Sequence, residues 1–375
     1  MSGKYKPFIN IGPGFYIEEE LESRGWSKGD LATILDFSQT QVSEIIHNKR
    51  PITFETAKLL SSVFGQSTQY WQNLYMNYKL REEGPTQAEY EAEVKAKILT
   101  YMPIADMVKK GWLGKWNGDF KKLVKSVKEF WGIEAEEMNF SFLETQAAPF
   151  LTRKSDAFQN YNQFFALTWF RMAKICAKKR KVPAYNKEAL VSLANKISEY
   201  SYRDGGIEMF LEELENAGVK FFVLQHLEKT YTDGAAFWDC DSDNPVIVWT
   251  GRYKREDNFW FTISHEIAHI ILHFRSKNAF FIDSENLNED KNELEANEFA
   301  ASVIKRKEIL ASLGAGRITS SKIRQCSKKL KISTSVIVGQ LMYLGKLEHY
   351  QLRSLINTNI LDIIPSKYSG VQRAA

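Results

Sequence analysis

Apolar positions in this chain recur mostly every three or four residues, the period of helices with one buried face. From Gly12, Phe15, Tyr16, Ile17 and Leu21 share a face while Glu18, Glu19, Glu20 and Glu22 surround it, and Gly25 ends the pattern. Ser27 caps a second helix carrying Leu31, Ala32, Ile34 and Leu35. Ser38 caps a third, whose inward face is Val42, Ile45 and Ile46. After Glu82-Glu83-Gly84-Pro85 the helical period resumes, rich in aromatics, over residues 86–215. Gly205-Gly206 opens a further unit, in which a helix from Met209 to Ala217 gives way after Gly218 to Val219–Leu224, which reads as a strand. Ala235–Trp238 and Val246–Trp249 read as its neighbours. The helical period returns at Phe259–Phe274, at Glu289–Ala301 and from Ser320 to Leu352. Residues 1–10 read as a polar arm, and the chain after Ile364-Pro365 as a disordered tail.

The stretch Phe259–Phe274 is apolar all the way round, as in a helix buried inside a domain, yet it holds His265, His269, His273 and Glu266. Burying imidazoles and a carboxylate without partners costs several kcal/mol, so something must compensate them. His265 and His269 are four residues apart. On a helix that places them about 40° apart in rotation, one turn above the other. Two neutral imidazoles so placed can bind one Zn²⁺, and Glu266 can act as general base on a water at the open position, the H-E-x-x-H arrangement. A third ligand is needed. On the helix that follows, Glu293 shares a face with Ala296, Asn297, Ala300 and Ile304, a small-residue face able to pack closely. Glu295 points away with Glu298, Ser302 and Lys305, so Glu293 is the ligand expected, with Glu295 the alternative. Asn297, one turn on, is placed to hydrogen-bond a ligand. His273 is too close to His269 for the longer H-E-x-x-H-x-x-G-x-x-H pattern and falls to a supporting role. Arg252 and Tyr253, just before this helix, either stabilise a developing oxyanion or hold their loop. The small sheet could hold substrate backbone by strand addition.

In the N-terminal region two short helices, a tight turn and a polar-fronted second helix make a helix-turn-helix pattern. Gln39, Thr40, Gln41 and Ser43 point outward as base-edge readers, and Lys28, Lys49 and Arg50 are placed for phosphates. Residues 1–80 carry eight Lys and Arg against eight Asp and Glu, which weighs against strong electrostatic affinity. The run Lys174–Val182 holds five positive charges and reads as a solvated helix end, with DNA or an acidic partner as the alternative.

Composition bounds the rest. At 375 residues the chain allows two or three domains, and 44% hydrophobic with 26% charged residues is ordinary for a globular protein. Three scattered cysteines, Cys176, Cys240 and Cys326, give neither a disulfide framework nor a thiolate zinc site and fit a reducing cytoplasm. The N-terminus lacks a secretory segment, no apolar run is long enough to span a membrane, and a net charge of +4 alone argues no partner.

Phe-Trp-Phe-Thr-x-x-His-Glu-x-x-His-x-x-x-His, then Glu-x-Glu-Ala-Asn-x-Phe-Ala-Ala, resembles the ImmA/IrrE group of metallopeptidase-like proteins. The similarity extends to Asn244–Val248, Arg252-Tyr253, Ile332-Ser333 and Val338–Leu341. It implies a mainly helical, gluzincin-like zinc peptidase fold with a small sheet, in a family whose members are often joined to DNA-binding regulators and in some cases cleave a repressor. Gly12-Pro13-Gly14, Ser43 through Thr53 and Trp71–Leu74 resemble HigA-type antitoxins of the XRE helix-turn-helix class. That resemblance implies binding to operator DNA as a homodimer, and in some members a toxin partner. The fold class expected is mainly α: a five-helix-type helix-turn-helix domain at 11–80, a helical connector at 86–215 and a zincin-like α+β domain at 216–360. The function expected is a cytoplasmic DNA-binding regulator fused to a zinc-dependent peptidase acting on a repressor or toxin protein. The alternative is a non-enzymatic antitoxin or autorepressor whose metallopeptidase-like domain is structural or a sensor.

Overall fold

A computed structural model describes residues 10–84, 86–134, 140–147, 161–274, 280–284 (backbone alone), 291–314 and 316–371. The chain divides into two compact units, residues 1–94 and 95–375. The polar arm expected at the N-terminus lies, up to residue 9, outside the described residues.

The first unit holds five complete helices among the described residues, α1 (Pro13–Arg24), α2 (Lys28–Leu35), α3 (Gln39–Ile46), α4 (Phe54–Phe64) and α5 (Thr68–Glu83). Each start has a local cause. Pro13 opens α1, Ser27 and Ser38 form capping boxes with Asp30 and Gln41, and Thr53 and Ser67 cap α4 and α5. Ile17, Leu21, Leu31, Leu35, Val42 and Ile46 meet Leu60, Phe64 and Trp71 in one core. Phe15 and Ile34, grouped by periodicity with the inward residues, are exposed instead. Gly14 is demanded by packing, because a methyl there would sit 1.7 Å from the Ile46 carbonyl oxygen. Asn48, in the left-handed region at φ 57°, accepts from the Gly14 N–H at 2.9 Å and locks α1 to the end of α3.

The second unit starts within α6 (Gln87–Tyr101) and continues through α7 (Ile104–Lys109), α8 (Phe120–Trp131), α9 (Ser141–Ala147), α10 (Gln163–Lys178), α11 (Lys187–Ala194), α12 (Ile197–Tyr202) and α13 (Gly206–Asn216). Three strands follow, β1 (Lys220–Val223), β2 (Thr232–Asp239) and β3 (Asn244–Trp249), then α14 (Glu256–Ala268). The chain ends with β4 (Phe280–Ser284), α15 (Lys291–Val303), α16 (Arg306–Leu313), α17 (Ser320–Leu330) and α18 (Thr334–Tyr343), with short turns of helix after them. The sheet has the order β1-β3-β2-β4, with β1 parallel to β3 and the other pairs antiparallel. Three of these strands follow from the apolar runs; β4 was not expected.

Because side chains alternate along a strand, the sheet has two lined faces. Phe221, Ala236, Ile247 and Trp249 pack with Phe259, Ile263 and Ile267 of α14. Phe237, on the opposite face, meets Phe170 of α10 edge-on with ring centroids 5.1 Å apart. On that same face Lys220 Nζ and Asp239 Oδ2 form a buried ion pair at 2.6 Å, and Lys220 also donates to the Ala177 carbonyl. The core around α14 draws in Leu190, Ile207, Phe210 and Leu214 from α11 and α13, and Ile323, Ile337 and Leu341 from α17 and α18. Burial on all sides by elements far apart in sequence fixes α14 in place. Among the described residues, no helix is long and apolar enough to cross a membrane.

The segment after Pro365 is ordered up to Val371, against the expectation of a disordered tail. Tyr368 is fully buried against Phe221, its hydroxyl donates to Glu215, and Gly370 N–H donates to the Val223 carbonyl at 2.8 Å. One large aromatic anchor and an edge strand to pair with outweigh the low apolar content of the segment.

Candidate functional site

α14 begins with Glu256 and Asp257 in its first turn, where the helix dipole favours acids. Trp260, Ile263, Ser264, His265, Glu266 and Ile267 are all essentially inaccessible to solvent. Beyond Ala268 the helix widens into a π turn over His269–His273. The wider turn brings His273 Nδ1 to 3.0 Å from His269 Nδ1.

α15 packs along α14 through the small residues Ala296 and Ala300, both fully buried. That close approach carries Glu293 to the histidines. Glu293 Oε2 lies 3.1 Å from His265 Nε2, Glu293 Oε1 3.7 Å from His269 Nε2, and the two Nε2 atoms are 2.9 Å apart. His265, His269 and Glu293 each turn a ligand atom to one point, all within 4.8 Å of one another. Two ligands about 2.0–2.1 Å from a tetrahedral zinc are roughly 3.3 Å apart, close to these separations.

The hydrogen bonds on the far side of each ring set the tautomers. His265 Nδ1–H donates to Asn297 Oδ1 at 3.1 Å. His273 Nε2–H donates to Glu295 Oε2 at 3.1 Å, so its Nδ1 accepts from His269 Nδ1–H. Both ligand candidates then present an Nε2 lone pair, and the third group is a carboxylate. Burial pushes the His269 imidazole down to about 4, which keeps it neutral at pH 7. Burial alone would raise the Glu293 carboxyl, but the two facing imidazoles outweigh it and hold it well below the usual carboxylate range. Lone pairs and a negative charge converging in a dry site fit a divalent cation with N and O preferences, such as Zn²⁺.

Glu266 is fully buried beside β2. A methyl built on Gly234 would come within 2.6 Å of both Glu266 Oε1 and Thr262 Cγ2, so only glycine lets this strand approach the carboxylate so closely. Gly234 and Thr262 are not visible from motif spacing. The run Gly234-Ala235-Ala236, small residues within a strand, was the available sign of close helix packing. Glu295, the alternative ligand, is instead the hydrogen-bond partner of His273.

Arg252 Nη1 donates to Asp233 Oδ1 at 3.3 Å and to the Tyr231 carbonyl at 3.4 Å, and its guanidinium stacks over Tyr231 and Tyr253. It braces Asp233, the residue next to Gly234.

In the first unit, Gln39 and Thr40 are exposed at the start of α3, with Ser43 half-buried one turn on. Gln41 differs from its expected role: its side-chain oxygen accepts from Ser38 N–H at 2.9 Å, completing the capping box rather than reaching outward. His47, which carries no motif signal, lines the same concavity as Gln39, Thr40, Ser43 and Lys49. Lys28 pairs with Glu18 at 2.9 Å and Arg50 with Glu44 at 3.3 Å. Exposed pairs of this kind are worth about 0–1 kcal/mol, so exchange for a phosphate costs little.

Comparison with known proteins agrees with this arrangement. Residues 17–71 match the family described as helix-turn-helix, and residues 214–342 match the IrrE N-terminal-like domain of the M78 peptidases. Over 72 residues the chain is 38% identical to Virulence-associated protein I of Dichelobacter nodosus, a stretch covering 67% of that protein and 19% of this chain. The chain thus belongs to the XRE-type helix-turn-helix family through its N-terminal region and carries an M78 peptidase-like, IrrE N-terminal-like domain in its C-terminal region.

Proposed function

We propose that the protein is a DNA-binding transcriptional regulator whose C-terminal domain is a zinc-dependent peptidase that cleaves a regulatory protein partner. The observation that carries the reading is the convergence of His265, His269 and Glu293 on one point beside a buried Glu266. His265, His269 and Glu293 would hold zinc, which would supply Lewis acidity toward a peptide carbonyl and a water. His265 and His269 are held as neutral ligands by Asn297 and by the His273–Glu295 pair. Glu266, itself buried, would take the proton of the attacking water and deliver it to the departing amine. Gly234 leaves the carboxylate room to do so. Arg252 keeps β2 in position through Asp233.

On the DNA side, Gln39, Thr40 and Ser43 reach base edges, while Lys28, Lys49 and Arg50 take phosphates. A homodimer would present two such helices to a palindromic operator. The partner cleaved is a repressor or toxin protein. Co-expression of such a partner with wild-type protein should yield discrete fragments, and co-expression with Glu266→Gln should not. Equal fragments from both would remove the catalytic assignment. Footprinting upstream of the gene tests the other half: protection that survives Gln39→Ala and Arg50→Ala together would remove the DNA-reading assignment.

A further inference from the structure

Between α8 and the end of α10 lies a cleft of about 910 Å³, lined by Lys179, Arg180 and Lys181 from the end of α10, by Ser126 and Glu129 of α8, and by Lys367. A second concavity on the other flank of α8 is lined by Lys121, Lys125 and Lys128 and shares Glu129 with the first. Residues 109–134 and 171–181 together hold thirteen Lys and Arg against three Asp and Glu, a surplus of ten positive charges. The whole chain carries only +4, so the remainder is net negative. The positive charge is concentrated here and not in the helix-turn-helix region.

Internal structure uses only part of this charge: Lys110 pairs with Asp106, Arg180 lies 3.7 Å from Glu215, and exposed Lys125 lies 3.9 Å from Glu129, a pair that solvent screens. Arg180 turns inward, donating to the Lys367 and Ser369 carbonyls, and Lys178 pairs with Asp241 at 2.7 Å. At the carboxyl end of α10 the Ala177 carbonyl already accepts from buried Lys220 at 2.9 Å. Lys121, Lys122, Lys179 and Lys181 are exposed and form no ion pair among the described residues. They do not converge on one point, as the donors of a small-anion site would. Lys121 and Lys122 lie on α8, whose twelve residues span about 18 Å, or roughly five base-pair steps of 3.4 Å, and Lys179 and Lys181 follow the end of α10 on the facing side of the cleft.

We propose that this two-sided basic surface around α8 is a sequence-independent binding site for the phosphate backbone of duplex DNA, additional to the helix-turn-helix. It goes beyond the function proposed above, since it needs neither base readout nor the metal centre. It would supply the electrostatic attraction that the N-terminal residues, with their balanced charges, lack.

The test is fluorescence anisotropy of the full chain with a random-sequence 20-base-pair duplex between 50 and 200 mM salt. Each phosphate contact contributes about 0.9 to the slope of log affinity against log salt concentration. Combining Lys121→Gln, Lys125→Gln, Lys179→Gln and Lys181→Gln should reduce that slope by about 3–4, with melting temperature and zinc content unchanged. The preference for an operator over a random duplex, which the helix-turn-helix would set, should stay within twofold. An unchanged slope overturns the proposal. So does a variant that keeps its DNA slope but loses binding to vesicles of anionic phospholipid.

Discussion

Replacing Glu266 with Gln keeps the shape of the side chain and removes its basicity. Peptide cleavage should fall by about 10²–10⁴-fold, with zinc content unaltered, measured on any partner found to be cut. Gly234→Ala acts on the same contact from the strand side. Its methyl meets Glu266 and Thr262 at 2.6 Å and should cost about 1–3 kcal/mol by chemical denaturation. An alanine variant as stable as wild type would mean that β2 and α14 have room to spare. Asp239 offers a pH-dependent test away from the site. Burial alone would raise its carboxyl, but Lys220 and Ser242 outweigh it and hold it below the ordinary range. A carboxyl depressed in the folded state adds stability above its unfolded value of about 3.9 and loses it as pH falls through the folded value. Asp239→Asn should therefore destabilise by about 3–5 kcal/mol near neutrality. The gap to wild type should close as the solution is acidified below about pH 4.

At the scale of elements, the π turn after α14 and the small-residue face of α15 together position the candidate metal ligands and their supporting groups. Periodicity alone selected Glu293 over Glu295, because a close-packing face had to be the one bearing Ala296 and Ala300. Spacing also pointed to His265, His269 and Asn297, which the fold brings together with Glu293. It could not reveal the π turn, since one widened turn leaves no mark on apolar periodicity, and so the His269–His273–Glu295 chain stayed hidden. Gly234 escaped for a similar reason: its importance lies in a contact between a strand and a helix far apart in sequence. His273→Ala should weaken zinc binding by about 10–100-fold in chelator competition, and unaltered affinity would confine His273 to packing. In α3, capping rules and base-reading expectations competed for Gln41, and local geometry favoured the cap.

For the molecule as a whole, the helical class, the helix-turn-helix and the neighbourhood of α14 were legible because each rests on local periodicity. The fourth strand and the anchored segment around Tyr368 were not, because both are held by residues distant along the chain. Tyr368→Ala should lower stability by about 3–5 kcal/mol, whereas a merely draped tail would leave it unchanged. The central claim is that the C-terminal domain holds a metal ion on His265, His269 and Glu293. The most direct measurement is zinc per chain in purified protein, by elemental analysis, for wild type and His265→Ala. About one zinc per chain in wild type, and essentially none in the variant, is the expected result. Wild-type protein that stays metal-free after reconstitution, or a variant that binds zinc equally well, would contradict it.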